Sequence, residues 1–259
     1  MAKVKGATAY ADDIELPGTL YCKFLRSHHP HARVLSVDTS AVSSITGVAA
    51  VLTGQDLPTK YGIMPTSEDE RALESEKVRY VGDPVAAVAA VDEETALAAC
   101  RAIRVEYEPL EAIESIEQAL VPPVDEPIHD YGGPANIHRL AALEFGEVDD
   151  GFARADHIRE DLFFFEGNTH LPMEQHSSIA VDVGDQLTLW SSTQTPHYVH
   201  RTLSRVLHLP MGHIRVVAAP HGGGFGGKTD PFSHEIVVCK LAMLTGHPVK
   251  CTLTREEVF

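Results

Sequence analysis

The chain has 259 residues, 44% of them hydrophobic, enough for one large domain or two ordinary ones with buried cores. It carries 37 acidic against 21 basic residues, a formal net charge of −16. That balance argues against a general nucleic-acid or anionic-membrane binder, whose phosphate contacts need clustered Lys and Arg. The four cysteines, Cys22, Cys100, Cys239 and Cys251, form no C-x-x-C pair. No zinc knuckle or iron–sulfur cluster is therefore written here, and reduced thiols of a cytoplasmic protein are the simplest reading. The N-terminal MAKVKGATAYADD lacks the apolar core of an export signal, and no stretch approaches the ~18 apolar residues of a membrane span.

From the N-terminus, LYCKFLRS, RVLSVD and VAAVLTG predict short strands separated by His/Pro and Ser/Thr/Gly punctuation. Residues 78–107 then read as strand, helix, strand. Asp92 is the expected N-cap, Glu93 and Glu94 suit the first turn, and Ala96, Ala99, Cys100 and Ile103 keep one helical face. His28, His29 and His31 surround Pro30, which breaks any regular presentation, so a polar turn is expected there and not a metal cluster. These elements predict an α+β domain over residues 1–120. Residues 121–140 hold Pro122, Pro123, Pro127, Gly132, Gly133 and Pro134, a density expected of a linker.

The second region, 141–259, begins with an aromatic run, Phe163, Phe164 and Phe165, expected with Trp190 to serve a core or an interface. His170 and His176 flank Met173 and Glu174; His176 or its partner is expected to be satisfied by backbone, and Glu174 to be structural. Two alternating strands follow, SSIAVDV and QLTLWSS. Thr195 suits an N-cap and Pro196 the first helical position of a helix whose stripe is Val199, Leu203, Val206 and Leu207. The strand IRVVAA, a glycine loop, a helix through IVVCKLAML closed by Gly246 and the strand VKCTL complete the pattern.

The glycine loop HGGGFGGKTD places Gly222, Gly227, Lys228 and Thr229 in the spacing of a nucleotide-binding P-loop. A P-loop needs its Lys and Ser/Thr in the first turn of the next helix, where amides and dipole meet the phosphates. Pro231 pushes Asp230 out of helical geometry, so Asp230 is the expected N-cap and Lys228 and Thr229 fall outside the helix. A nucleotide triphosphatase is therefore disfavoured. Five glycines around Phe225 instead predict a bare backbone cradle. Lys228 is left with two readings, a counter-charge for a cofactor phosphate or a salt bridge.

Long segments of the chain resemble, in order, the large, molybdopterin-binding subunit of the xanthine oxidase family of molybdenum hydroxylases. KVKGATAYADDI, LYCKFLRSHHPHARVLSVDTS, VRYVGDPVAAVAAVDEETA and VEYEPLEAI are similar to its α/β hammerhead domain. FGEVDDGFARAD, EGNTHLPMEQHSSIA, STQTPHYVHRTLSRVL and GGGFGGK are similar to the start of its cofactor-binding domain. The resemblance implies that Gln194 donates its side-chain amide to an oxygen ligand of molybdenum, and that the backbone of Gly224, Phe225 and Gly226 faces the metal's oxo ligand and the pterin. No residue here is implied to ligate the metal or to act as acid-base catalyst; the family's general-base glutamate is expected beyond residue 259, which marks the chain as a fragment, inactive alone.

The resemblance further implies a molybdenum–molybdopterin cofactor in a dinucleotide form, with iron–sulfur clusters and FAD on partner subunits of a hetero-oligomer. Thr229 stands where purine-oxidising relatives carry an acidic residue. MEQH and EGNTHLPM are most similar to 4-hydroxybenzoyl-CoA reductase, implying reductive dehydroxylation of an aromatic CoA thioester. The alternatives are hydroxylation of an aldehyde or N-heteroaromatic small molecule and, further off, a non-catalytic assembly module.

Overall fold

Residues 2–64, 68–120, 127–131 and 136–259 are described by a computed structural model. In the N-terminal part the β-branched and alanine-rich runs form β1 (Leu20–Arg26), β2 (Ala32–Asp38), β3 (Val48–Thr53), the short β4 (Lys77–Val78) and β5 (Pro84–Ala90). Helix α1 (Glu93–Ala102) and β6 (Arg104–Pro109) follow, and then the short helices α2 (Ile116–Leu120) and α3 (Val148–Ala153). The remainder comprises β7 (Ser177–Val183), β8 (Gln186–Ser191), α4 (Pro196–Val206), β9 (Ile214–Ala218), α5 (Ser233–Thr245), β10 (Val249–Thr252) and α6 (Arg255–Val258).

Every position of β5 is buried, because it runs between β3 and β1 and is covered on both faces. Its pleat divides the interior: Ala87 and Ala89 face the main core, whereas Ala86 and Val88 face a second core that includes Ala99, Cys100 and Ile103 at α1. The expected cap is present, with Asp92 Oδ1 accepting from the Thr95 amide at 2.7 Å. A seven-stranded sheet in the order β3-β5-β1-β10-β7-β8-β9 carries the main core. It is continuous across the two regions of the sequence because β1 pairs in parallel with β10, Leu20 opposite Val249. Strands β4, β2 and β6 form a separate three-stranded sheet.

Val199, Leu203 and Val206 of α4 and Ile236, Val237, Val238, Leu241 and Ala242 of α5 pack into the main core. Full burial of one such side chain contributes about 1.5–3 kcal/mol, so these two helices fix the positions of the loops that precede them. All four cysteines are free and buried. Burial pushes the Cys100 thiol up to about 12 and those of Cys22 and Cys239 upward as well, which leaves them unreactive.

Several expectations change. Phe163, Phe164 and Phe165 belong to no core, because residues 138–168 are exposed throughout. Trp190 is half-buried. In the histidine turn, His31 is buried with Nδ1 2.8 Å from the Glu111 carbonyl, while His28 and His29 pack against the Tyr107 ring. Among the described residues, no group of three or more His, Cys, Asp or Glu could hold a metal ion, and no helix is long and apolar enough to cross a membrane. Of the expected linker, Pro122, Pro123, Gly132, Gly133 and Pro134 lie outside the described residues.

Candidate functional site

The glycine loop connects β9 to α5. Phe232 is extended and serves as N-cap position of α5, its amide donating to Glu235 Oε2 at 3.0 Å. This corrects the expectation for Asp230: Pro231 keeps Asp230 out of the helix, but the chain stays extended one residue longer because Glu235 reaches back to cap Phe232. Thr195 takes its expected position but not the hydrogen bond of a cap. It occupies the N-cap position of α4, yet its hydroxyl donates to the Thr229 carbonyl and not to the helix. The Thr195 bond ties the start of α4 to the glycine loop.

Gln194, just beyond β8, reaches the loop from the other side. Its own amide donates to the Lys228 carbonyl at 2.8 Å. Its side-chain Oε1 accepts from the Gly226 and Lys228 amides, each at 3.2 Å, and from the Thr229 hydroxyl at 3.5 Å. Donors converging on one atom identify it as the carbonyl oxygen, so the NH2 end points away from the loop. Among the described residues that NH2 group has no acceptor, and neither do the backbone N–H groups of Gly224 and Phe225. Gln194 as a whole is exposed.

The absence of a side chain at Gly224 is what admits Gln194: a Cβ there would lie 2.6 Å from Oε1. At Gly222 a Cβ would lie 2.6 Å from the Glu174 Cβ. These glycines therefore serve the approach of protein side chains, a use that the expected ligand cradle does not anticipate. Phe225 has φ 53, a left-handed conformation unusual for a side chain of its size, and its ring is 75% exposed. Of the expected site residues, Gln194, Gly224 and Gly226 are in direct contact, Phe225 turns outward, and the Gly226 amide is already taken by Gln194.

Glu174, structural on the sequence reading but without an identifiable partner there, finds two. Its Oε2 accepts from the Gly222 amide at 2.9 Å and from Lys228 Nζ at 2.7 Å. The Lys228 side chain is only 1% exposed, which settles its two readings in favour of the salt bridge and removes it from phosphate chemistry. Burial lowers the Lys228 pKa, and the Glu174 carboxylate opposes that shift. His176 is satisfied by backbone on one side, as expected: Nε2 donates to the Gly227 carbonyl at 2.8 Å. Burial pulls its pKa down to about 4, so the ring is neutral near pH 7. A cavity of about 420 Å³ borders the loop at Gly222 and is lined by Tyr10, Asp12, Asp13, Glu174, Gln175 and Thr252. None of Gln194, Gly224, Phe225 and Gly226 lines it.

Residues 5–111 match the aldehyde oxidase and xanthine dehydrogenase a/b hammerhead domain, and residues 128–259 match the molybdopterin cofactor-binding domain. The chain is 39% identical over 261 residues to the nicotinate dehydrogenase large molybdopterin subunit of Eubacterium barkeri, covering 99% of this chain and 60% of that protein. It is 33% identical over 270 residues to the xanthine dehydrogenase molybdenum-binding subunit of Escherichia coli O157:H7, covering 100% of this chain and 35% of that protein. Among solved structures it superposes on quinoline 2-oxidoreductase from Pseudomonas putida 86 with a TM-score of 0.88 at 30% identity, covering 99% of this chain and 34% of that one. The chain thus spans between about a third and three-fifths of the length of these relatives.

Proposed function

Because this chain belongs to the xanthine oxidase family of molybdenum-containing oxidoreductases, with a hammerhead domain and a molybdopterin cofactor-binding domain, we propose that it supplies one wall of the molybdenum cofactor site in a hydroxylating dehydrogenase. The observation that carries this reading is the NH2 group of Gln194, held by the glycine loop through Oε1 and left without an acceptor of its own among the described residues. Beside it, the amides of Gly224 and Phe225, without an acceptor among the described residues, add neutral donors. Such donors suit the oxygen ligands of an oxo-metal group: they orient and stabilise negative oxygen without occupying a metal coordination position.

The cofactor, when bound, supplies two-electron oxidation with an oxygen atom drawn from water. What this chain contributes is orientation, through the Gln194 amide and the loop backbone. No residue of these 259 is assigned a proton-transfer role, and we propose that the general base lies outside them. We propose the module division as 1–120, 121–140 and 141–259, a cytoplasmic location, a dinucleotide form of the pterin, and iron–sulfur and FAD groups on partner subunits that take up the electrons.

For substrate, N-heteroaromatic or aldehyde hydroxylation is favoured over reductive dehydroxylation of 4-hydroxybenzoyl-CoA. Two of the relatives, nicotinate dehydrogenase and quinoline 2-oxidoreductase, are named for nitrogen-containing rings. The MEQH segment, which carries the resemblance to the thioester reductase, has local work here: Glu174 and His176 bond the glycine loop. The test is a panel of nicotinate-type heterocycles, aldehydes and 4-hydroxybenzoyl-CoA, run on the full-length complex in heavy-oxygen water. Label in an oxidised heterocycle or aldehyde is the expected result. Loss of the phenolic hydroxyl from the thioester, with no turnover of the other classes, would replace this reading with the reductive one.

A further inference from the structure

The two ends of the glycine loop meet at one atom. Glu174 Oε2 accepts from the Gly222 amide at the loop's start and from Lys228 Nζ at its end, so a single carboxylate oxygen closes residues 222–228 into a ring. Lys228 is held from both directions. Its ammonium is bonded by Glu174, while its backbone amide and carbonyl are bonded by Gln194 at 3.2 and 2.8 Å. The chain of contacts runs from Glu174 through the Lys228 side chain and main chain to the Gln194 amide, without a gap.

We propose that Glu174 and Lys228 are a positioning pair, an ion pair whose task is to fix the direction in which the Gln194 NH2 group and the 224–226 backbone face the bound cofactor. This rests on the reading of Gln194 given above. The physical case begins with cost. A nearly fully buried ammonium is expensive, and an apolar side chain of similar length would pack a loop as well for stability alone. What an apolar substitute could not do is bond the carboxylate that also holds Gly222. Neighbouring His176 adds a third fixing point at the Gly227 carbonyl, so the loop backbone is pinned at its start, near its end and at its end. The exposed stretch between the pins, Phe225 and Gly226, is the part left facing outward.

The test uses the full-length enzyme purified with its partner subunits, comparing Lys228→Met, Glu174→Gln and the reference variant Gln194→Ala. The readouts are molybdenum content, the electron paramagnetic resonance spectrum of the partly reduced metal, kcat and KM separately, and Tm. Lys228→Met and Glu174→Gln are expected to shift the metal spectrum in the same direction as Gln194→Ala. They should also lower kcat on the order of 10- to 100-fold, with KM changing far less. Lys228→Arg, which retains the charge and the donor, is expected to restore part of kcat. Should Lys228→Met fail to fold, Glu174→Gln, which keeps size and an acceptor oxygen, carries the comparison. A fall in Tm with an unchanged metal spectrum and unchanged kcat in the folded fraction would overturn the positioning role. If Gln194→Ala alters the spectrum while the pair does not, only this inference fails; if Gln194→Ala also leaves it unaltered, the proposed cofactor site itself fails.

Discussion

Two of the strand-to-helix connections, β5 to α1 and β9 to α5, are built in opposite ways. The first takes only Val91 and Asp92, and its cap is local: Asp92 bonds Thr95. The second runs from Ala219 to Phe232; its helix is also capped locally, by Glu235 at Phe232, but the loop before it is bonded by the side chains of Glu174, His176 and Gln194, which lie 32 or more residues from their partners. The short junction takes one long-range backbone bond, from the Val91 amide to the Gly47 carbonyl at 3.0 Å, and its helix cap is local. The long one combines local turn bonds with distant side chains that fix its backbone. On the proposed reading, the long connection is the one that serves function.

The largest effect that would break this comparison is expected from Gly224→Ala. The added Cβ would lie 2.6 Å from Gln194 Oε1, so Gln194 must leave its position. In the full-length enzyme, activity should fall on the order of 100-fold, as for other displacements of about an ångström near reacting groups. Thermal denaturation should show a smaller cost, about 1–3 kcal/mol, typical of overpacking. Activity close to wild type would mean that the loop does not orient anything.

Next in size is a pH effect at His176. Burial pulls its pKa from the ordinary 6.5 down to about 4, with the Lys228 ammonium adding to the shift and Glu174 opposing it. The unfolded chain therefore takes up this proton first as pH falls, and folding stability is lost between pH 6.5 and pH 4. His176→Gln retains a donor for the Gly227 carbonyl but cannot titrate. Its stability should decline less steeply than that of the wild type, by an amount on the order of 3 kcal/mol near pH 4. Buried Glu235, whose pKa is raised to about 7, changes stability in the opposite direction, but it is common to both proteins and cancels in the comparison. Parallel pH curves would contradict the neutral, loop-bonded histidine.

The smallest effect sharpens the other half of the comparison. Asp92→Ala removes the local cap of α1 and should cost about 1 kcal/mol in chemical denaturation, while leaving the metal spectrum of the holoenzyme unaltered. A change at the metal would show that the two junctions are coupled after all.

What is legible in the sequence follows the same division. The cap at Asp92, the stripe of α4, the Gly246 terminus of α5 and the exclusion of Lys228 and Thr229 from the helix all depend on neighbours within a few residues, and all are present. Local spacing also assigns a cap to Asp230 that the fold does not use, because Glu235 caps Phe232 instead, and it places Thr195 correctly at the N-cap of α4 without showing that its hydroxyl bonds the Thr229 carbonyl. The Glu174–Lys228 pair joins residues 54 apart in sequence, and spacing alone contains no sign of it. Phe163, Phe164 and Phe165 carry the composition of a core, yet no described residue covers them. Resemblance points to Gln194; its bonding by Oε1 and its free NH2 group emerge only once β8 and the glycine loop are brought together in space.

The most direct test of the central claim is elemental analysis of the full-length complex, purified as wild type and as Gly224→Ala. The account predicts molybdenum in proportion to the large subunit in the wild type and a clear deficit in the variant, with both proteins folded and assembled. An intact wild-type complex devoid of molybdenum, or equal metal loading in the two, would contradict the assignment of Gln194 and the glycine loop to the cofactor.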